Sequence, residues 1–233
     1  MGAEEKVSLK ILEELGAKPS ISEEHGLALI RDTDLKIFSP GISTAGFAEI
    51  RMANGNPDRH IVATTIDQQG LEFANQVIGE VGLQDRIKTK LEDLRDGGYP
   101  DDSFDFIYAR LVLHYLSTQD LDLVLGKLAK SLKYEGRMFV VVRSEKNMDR
   151  TDPNVTYDSA TKLTTYPTYR PDGSINAKHT RYFHTPESIT SHFGNAGLKV
   201  NDLQEYEEQL YGDFMRKEIS QTKDHVIEFI ATK

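Results

Sequence analysis

One stretch decides the fold class, namely residues 36–67, which read KIFSPGISTAGFAEIRMANGNPDRHIVATTID. A short apolar run leads into a turn that contains glycine, a segment with helical spacing follows, and a second apolar run ends in an acid. Apolar runs continue to alternate with helical segments further along the chain, as they do in repeated strand–helix–strand units. The five runs are LKIFS, HIVATTI, RIKTKL, FDFIYA and RMFVVV.

Helical spacing lies between these runs, at residues 44–54, 70–82 and 121–132. The alternation predicts an α/β fold with a doubly wound, mainly parallel, Rossmann-like sheet, in which ligands bind beyond the carboxyl ends of the strands. Towards the C-terminus, LKVNDLQEY and DHVIEFIATK predict two closing strands, the last of them antiparallel to its neighbour, for a total of seven. Thr185 and Pro186 predict a helix start as its capping residue and its first residue.

The domain organisation follows from the same patterns. We predict that residues 1–34 form an N-terminal helical extension, because apolar residues recur at helical spacing within residues 4–15. Residues 35–233 form the α/β domain. A segment at about 144–184, rich in Thr, Asp, Pro and Tyr, interrupts this domain after the fifth strand. Long segments of this kind are functional lids or disordered, and we expect a lid or a substrate region here.

The composition excludes several classes of function. The chain has no cysteine, which rules out disulfides, thiolate zinc sites and a cysteine nucleophile. It has no apolar run of about 18 residues and no signal-peptide pattern, so we expect a cytoplasmic protein that has no membrane partner. The net charge of −9 would repel a phosphate backbone, so we expect no nucleic-acid partner. A small molecule or a protein is the expected substrate.

The turn after the first strand can approach a ligand. Gly41 allows a tight turn whose backbone amides come close to an adenosyl group. Asp67, which follows the second strand, supplies a carboxylate that can accept hydrogen bonds from a ribose diol. Two simpler interpretations stay open at this stage, since Gly41 fits an ordinary turn and Asp67 fits a helix cap.

Read together, these elements resemble class I S-adenosylmethionine-dependent methyltransferases over approximately residues 35–233. The closest match is DDSFDFIYARLVLHYL at residues 101–116, which resembles the fourth strand and the following turn of small-molecule methyltransferases. The chain departs from the family pattern in its first motif, where Ser39 replaces the usual acid and Ser43 and Ala45 replace later glycines. Side chains in this turn hinder close approach to a ligand, which predicts weaker cofactor binding.

The resemblance implies S-adenosylmethionine as the cofactor, with Asp67 on the ribose, Asp93 on the adenine amine and Leu94 on the adenine ring. Alternatively, Asp93 belongs to a solvated strand end and Arg110 pairs with a nearby acid. The full set of cofactor-binding residues carried over is Ser39, Gly41, Ser43, Asp67, Gln68, Glu92, Asp93, Leu94 and Arg110.

Methyl transfer is an in-line displacement, so most of its acceleration can come from positioning. His114, just past the fourth strand, is the candidate catalytic base, and packing within ARLVLHYL is the alternative. Tyr115 and Tyr182 are the candidate substrate contacts, because aromatic rings near the insertion either line an acceptor pocket or anchor the insertion to the sheet. The remaining histidines lack metal-ligand spacing, so we expect no metal.

The sequence therefore predicts an enzyme that moves a methyl group from S-adenosylmethionine to a small-molecule acceptor. The alternative is a non-catalytic, methyltransferase-like binding or regulatory protein in which cofactor binding is weakened or lost. The degenerate first motif favours the alternative, and the motifs after it favour the enzyme.

Overall fold

The computed structural model describes residues 18–148, 151–170, 172–211 and 219–233. The helix predicted at residues 4–15 lies outside these residues. The strands are β1 Lys36–Pro40, β2 His60–Thr65, β3 Ile87–Leu91, β4 Phe104–Arg110, β5 Leu132–Arg143, β6 Thr156–Tyr157, β7 Thr164–Tyr169, β8 Ile175–Arg181, β9 Lys199–Tyr211 and β10 Ile219–Thr232. The helices are α1 Ile21–Ala28, α2 Phe47–Asn54, α3 Gln68–Glu80, α4 Thr118–Ser131 and α5 Pro186–Asn195.

Seven strands form the main sheet in the order β3-β2-β1-β4-β5-β10-β9. Strands β1 to β5 pair in parallel, and β10 pairs antiparallel with both β5 and β9. The predicted fold class and the antiparallel closing strand are therefore confirmed. Buried apolar residues cover both faces, with Phe38 in the cluster that contains α4 and α5, and Ile37 in the cluster that contains α2 and α3. Burial on both faces explains why β4 and the second half of β5 are mainly apolar, whereas β3 at the edge of the sheet contains exposed polar residues.

Helices α3, α4 and α5 each begin at a residue whose side chain caps them. Asp67 accepts a hydrogen bond from the Gln69 backbone N–H at the start of α3. Ser117 caps α4 in the same way, through the Asp120 backbone N–H. Thr185 caps α5, and Pro186 is its first residue, as predicted. No helix within the described ranges is long and apolar enough to cross a membrane.

Helix α1 packs against the sheet through an unusually polar surface. Its buried residues are Ser22, Glu23 and Gly26. A Cβ atom on Gly26 would lie 2.5 Å from the ring of Phe139 and 2.6 Å from the ring of Tyr108, so only glycine allows this close approach. Helix α1 is therefore part of the folded core, and it covers the face of the sheet next to β4 and β5.

The insertion after β5 contains a sheet of its own. Strands β6, β7 and β8 pair antiparallel in that order. The chain then returns to the main domain, where the backbone N–H of Tyr182 donates to the carbonyl of His114 at 2.7 Å and that of His184 to the carbonyl of Arg143 at 3.0 Å. These bonds fasten the end of the insertion to the ends of β4 and β5.

Candidate active site

A cavity of about 550 Å³ opens at the carboxyl ends of the parallel strands, where doubly wound sheets bind ligands. The turn after β1 and the ends of β2, β3 and β4 contribute its walls, which are mainly apolar with a few charged groups. The residues that line it are Gly41, Ile42, Ser43, Thr64, Thr65, Ile66, Glu92, Asp93, Leu94, Arg95, Tyr108, Arg110, Leu111, Val112, Tyr115 and Leu116.

The turn after β1 is held by its own backbone. The amides of Gly41 and Ile42 both donate to the carbonyl of Thr64, at 2.9 and 2.7 Å. Gly41 has a φ of +84°, and a Cβ atom there would lie 2.7 Å from Val112 Cγ2. Glycine is therefore required at this position by conformation and by packing. Ala45 also has a positive φ, +58°, so the side chain that replaces a glycine here comes with backbone strain.

A buried carboxylate lies beneath this turn. Glu49 in the first turn of α2 is fully buried, and it accepts hydrogen bonds from the Ser39 hydroxyl and from the hydroxyl and backbone N–H of Ser43. Ser43 lines the cavity, whereas Ser39 is fully buried and does not. The motif thus retains an acid, supplied by the helix instead of the strand.

Asp67, the residue predicted to contact the ribose, lies two residues beyond the end of β2. Asp67 caps α3, and neither Asp67 nor Gln68 is among the residues that line the cavity. The side chain at the strand end is Thr65, which does line it, followed by Ile66, which is 75% exposed. The strand stops two residues before Asp67, so the carboxylate falls beyond the cavity edge. Thr65 is therefore the residue at this strand end that lines the cavity, and the contact between Asp67 and a ribose stays a prediction.

The end of β3 carries the remaining predicted residues, because Glu92, Asp93 and Leu94 all line the cavity. Arg95 donates to both oxygens of Asp93, at 3.0 and 2.7 Å, and this bonding lowers the pKa of Asp93 below its ordinary value. The Tyr99 hydroxyl donates to Glu92 at 3.0 Å, and burial raises the pKa of that tyrosine. Asp93 is therefore held as an oriented anionic acceptor.

The end of β4 is tied to the N-terminal part of the chain. Arg110 lines the cavity and donates through Nε to Ser22 Oγ at 2.6 Å and through Nη2 to Ser20 Oγ at 2.5 Å. Its Nη2 also lies 3.5 Å from a carboxylate oxygen of Glu208 on β9. Arg110 thus pairs with an acid, one of the two roles open to it in the sequence, and it still forms part of the cavity wall.

The candidate base and the candidate substrate contacts separate in the structure. Tyr115 lines the cavity at about half exposure, with the Arg181 guanidinium 3.9 Å from its ring centroid. His114 and Tyr182 are buried and do not line the cavity. Burial, followed by the nearby positive charges, lowers the pKa of His114 well below its ordinary value. The geometry favours a packing role for His114.

The part of the chain that forms the cavity is similar in sequence to a known family. Residues 39–140 match the family model of a methyltransferase domain. This part of the chain is therefore similar to a methyltransferase domain. The match spans β1 to most of β5 and so includes every strand end around the cavity. The sequence analysis did not single out Thr65 or Glu49. Thr65 lies in an ordinary strand-end pattern, and Glu49 lies in an ordinary helical pattern.

Solved structures share the fold of the methyltransferase domain at low sequence identity. An S-adenosylmethionine-dependent methyltransferase from Methanosarcina mazei matches with a TM-score of 0.68 at 14% identity, over 88% of this chain and 95% of its own. The CcbJ methyltransferase from Streptomyces caelestis matches with a TM-score of 0.67 at 10% identity, over 94% and 91%. The [4+2]-cyclase SpnF matches with a TM-score of 0.61 at 15% identity, over 91% and 80%. No curated protein matches the chain in sequence.

S-adenosylmethionine is the cofactor named for the relative from Methanosarcina mazei, and the residues that line the cavity of this chain fit it. Asp93 offers an oriented acceptor for the adenine amine, and Leu94 and the exposed Ile66 offer apolar walls for the ring. Thr65 offers a hydroxyl, which is a weaker partner for a ribose diol than a carboxylate. Within the described part of the chain, no group of three His, Asp or Glu side chains could hold a metal ion.

Proposed function

We propose that the chain transfers a methyl group from S-adenosylmethionine to a small-molecule acceptor. The observation that carries the proposal is the cavity at the strand ends. Asp93, an oriented acceptor, lines this cavity together with Tyr115 and Leu116. Its volume of about 550 Å³ suits small molecules, since ligand pockets of that class measure roughly 300–1,000 Å³.

The residues of the chain would act mainly by binding and positioning. S-adenosylmethionine supplies an electrophilic methyl group when bound. Asp93, fixed by Arg95, would hold the adenine end, and Ser43 in the turn after β1 would hold the amino-acid end. Tyr115, whose ring is fixed by the Arg181 guanidinium, would form the acceptor side of the cavity. Alignment of the acceptor with the methyl carbon supplies the acceleration, because displacement depends on an in-line approach.

Calorimetric titration with S-adenosylmethionine and with S-adenosylhomocysteine tests the proposal directly. We expect saturable binding of both ligands. Methyl transfer is then tested with radiolabelled cofactor against a library of hydroxylated and aminated small molecules, with heat-treated protein as the control. No detectable binding at millimolar ligand would sink the proposed activity.

A second function has specific support, namely a non-catalytic binding or regulatory role. Thr65 stands where a strand-end acid would bind the ribose, and the Ser43 amide is engaged by Glu49, so two contacts to a nucleoside ligand are weakened. The similarity to a [4+2]-cyclase illustrates that one fold can serve more than one function. Binding without turnover on any acceptor would favour this second function.

Replacing Asp93 with alanine should weaken binding of S-adenosylhomocysteine by about tenfold, because the adenine amine loses a charged acceptor. The matched control is Asp96→Ala, since Asp96 follows in the same loop and does not line the cavity. Calorimetry on both variants measures the difference. Equal affinity in the two variants would remove Asp93 from the site.

The end of β2 gives a prediction in the opposite direction. Thr65→Asp should tighten binding of S-adenosylhomocysteine by about tenfold, because a carboxylate at the strand end can accept from a ribose diol. Asp67→Ala should leave affinity unchanged and lower the free energy of unfolding by about 1 kcal/mol, through loss of the α3 cap. Calorimetry and denaturant unfolding separate the two effects. Weaker binding of S-adenosylhomocysteine by Asp67→Ala would instead indicate that Asp67 contacts the ribose.

A further inference from the structure

We propose that Glu49, acting through Ser43, replaces the missing strand-end acid and recognises the cationic amino group of the cofactor's amino-acid end. The inference rests on the proposed function. It assigns Glu49 as a positioning residue, because Ser43 lines the cavity and Glu49 does not.

The carboxylate of Glu49 is surrounded by donors. Its Oε1 accepts from Ser39 Oγ at 2.6 Å and from the Ser43 backbone N–H at 3.2 Å, and its Oε2 accepts from Ser43 Oγ at 2.5 Å. The side chain is fully buried. Three donors directed at two oxygens match the ionised form, which only accepts hydrogen bonds. Burying a carboxylate costs free energy, and packing alone does not require one. This cost points to a role for Glu49 at the turn.

Ser43 carries the effect of this charge to the cavity. A hydroxyl has one proton to donate and two lone pairs that accept. The Ser43 proton is donated to Glu49, and one lone pair accepts the Ala48 backbone N–H at 2.9 Å. What Ser43 can still offer a ligand is an acceptor, strengthened by its bond to an anion. Such a group favours an ammonium and disfavours a carboxylate.

Ser39 and Glu49 form a complementary pair in space. Ser39 Oγ and Glu49 Oε1 are 2.6 Å apart, so an acid at position 39 would meet the carboxylate of Glu49 at contact distance. Two carboxylates in contact cannot both stay ionised. The small residue at the end of β1 therefore accommodates the acid on α2, and the two positions together keep one negative charge under the turn.

The test compares two ligands on the unsubstituted protein and three variants. S-adenosylhomocysteine carries the amino-acid end, and 5′-methylthioadenosine shares its adenosine and thioether but lacks that end. We expect Glu49→Gln to weaken S-adenosylhomocysteine binding by about tenfold or more and to leave 5′-methylthioadenosine binding unchanged. The exchange variant Ser39→Asp/Glu49→Gln, which returns the acid to the strand, should regain most of the affinity. Ser43→Ala should reproduce the ligand selectivity of Glu49→Gln.

Calorimetry gives the affinities, and thermal unfolding shows that each variant is folded. Unchanged S-adenosylhomocysteine affinity in Glu49→Gln, or an equal loss for both ligands, overturns the inference, because the carboxylate would then be irrelevant or merely structural. Failure of the unsubstituted protein to bind either ligand instead overturns the proposed function, and the inference with it. Selective loss that the exchange variant reverses supports both.

Discussion

The variant Glu208→Met should lower the free energy of unfolding by about 3–5 kcal/mol, because it leaves Arg110 as a buried cation without its acid. Glu208 is almost fully buried on β9 and accepts from the backbone N–H and the hydroxyl of Ser22, at 3.0 and 2.6 Å. Its Oε1 also lies 3.5 Å from Arg110 Nη2. One substitution therefore removes the partner of a cavity residue and of α1 together.

Denaturant unfolding measures the loss in the free energy of unfolding. Two further variants test whether this loss comes from the broken ion pair. Glu207→Met is the matched control, since this neighbouring acid is about half exposed and its ion pairs with Lys223 and His225 are at the surface, so we expect a change below about 1 kcal/mol. Arg110→Met/Glu208→Met removes both charges and should be more stable than Glu208→Met alone. A single-variant loss no larger than that of the control would contradict a stabilising role for the pair.

The second large effect is acid destabilisation through two buried histidines. His184 is fully buried, and neither of its ring nitrogens has a hydrogen-bond partner in the described ranges. Burial, with a smaller contribution from His192, lowers the pKa of His184 to about 3. Burial also lowers that of His114, aided by the positive charges of Arg143 and Arg181. Both imidazoles are therefore neutral in the folded protein.

The direction of the pH dependence follows from the lowered pKa values. Below about pH 6.5 the unfolded chain binds protons at these histidines and the folded protein does not, so stability falls as the pH drops from there towards 3. At pH 5 the loss from His184 alone is about 2 kcal/mol relative to pH 7.5. Because His184 and His114 fasten the insertion to β5 and β4, the weakening falls at the border of the cavity.

Unfolding curves at pH 7.5 and pH 5 measure this loss in the unsubstituted protein and in His184→Leu. The leucine variant should lose about 2 kcal/mol less on acidification, since it has no imidazole to protonate. His60→Gln is the control, because His60 is exposed on β2. If His184→Leu and His60→Gln show the same pH dependence, protonation of His184 does not explain the acid sensitivity.

The strands of the main sheet could be predicted because hydrophobic burial decides them. Each of β1, β2, β4 and β5 is largely buried, so a run with several apolar residues marks it in the sequence. The start of α5 was equally readable, since Thr185 and Pro186 carry the local chemistry of a helix start. Both features depend on residues that are close together in the chain, so a single sequence is enough to predict them.

Helix α1 and the sheet of the insertion lack that signal. The buried face of α1 consists of Ser22, Glu23 and Gly26, so no apolar periodicity reveals it. Its fit depends on Arg51, Arg110 and Glu208, which lie far away in the sequence. Strand β7 is rich in Thr, β8 is mostly polar, and both are largely half-exposed or exposed, so no apolar face marks their pairing in the sequence.

The candidate site was predictable as a location and less so as a set of side chains. Among the residues carried over with the resemblance, Gly41, Asp93 and Arg110 line the cavity, and their contacts with a cofactor stay predictions. The second strand ends at Thr65, two residues before Asp67, and sequence patterns do not fix a strand end to that accuracy. Glu49 was hidden because an acid within a helix normally faces solvent.

The attachment of α1 has a consequence for the order in which the protein is made. The bond from the Ser22 amide to Glu208 joins residues that are 186 positions apart in the chain. During synthesis from the N-terminus, α1 must wait for β9 to leave the ribosome before Arg110 acquires its full set of partners. The contacts that hold Arg110 are thus completed only after most of the chain has been synthesised.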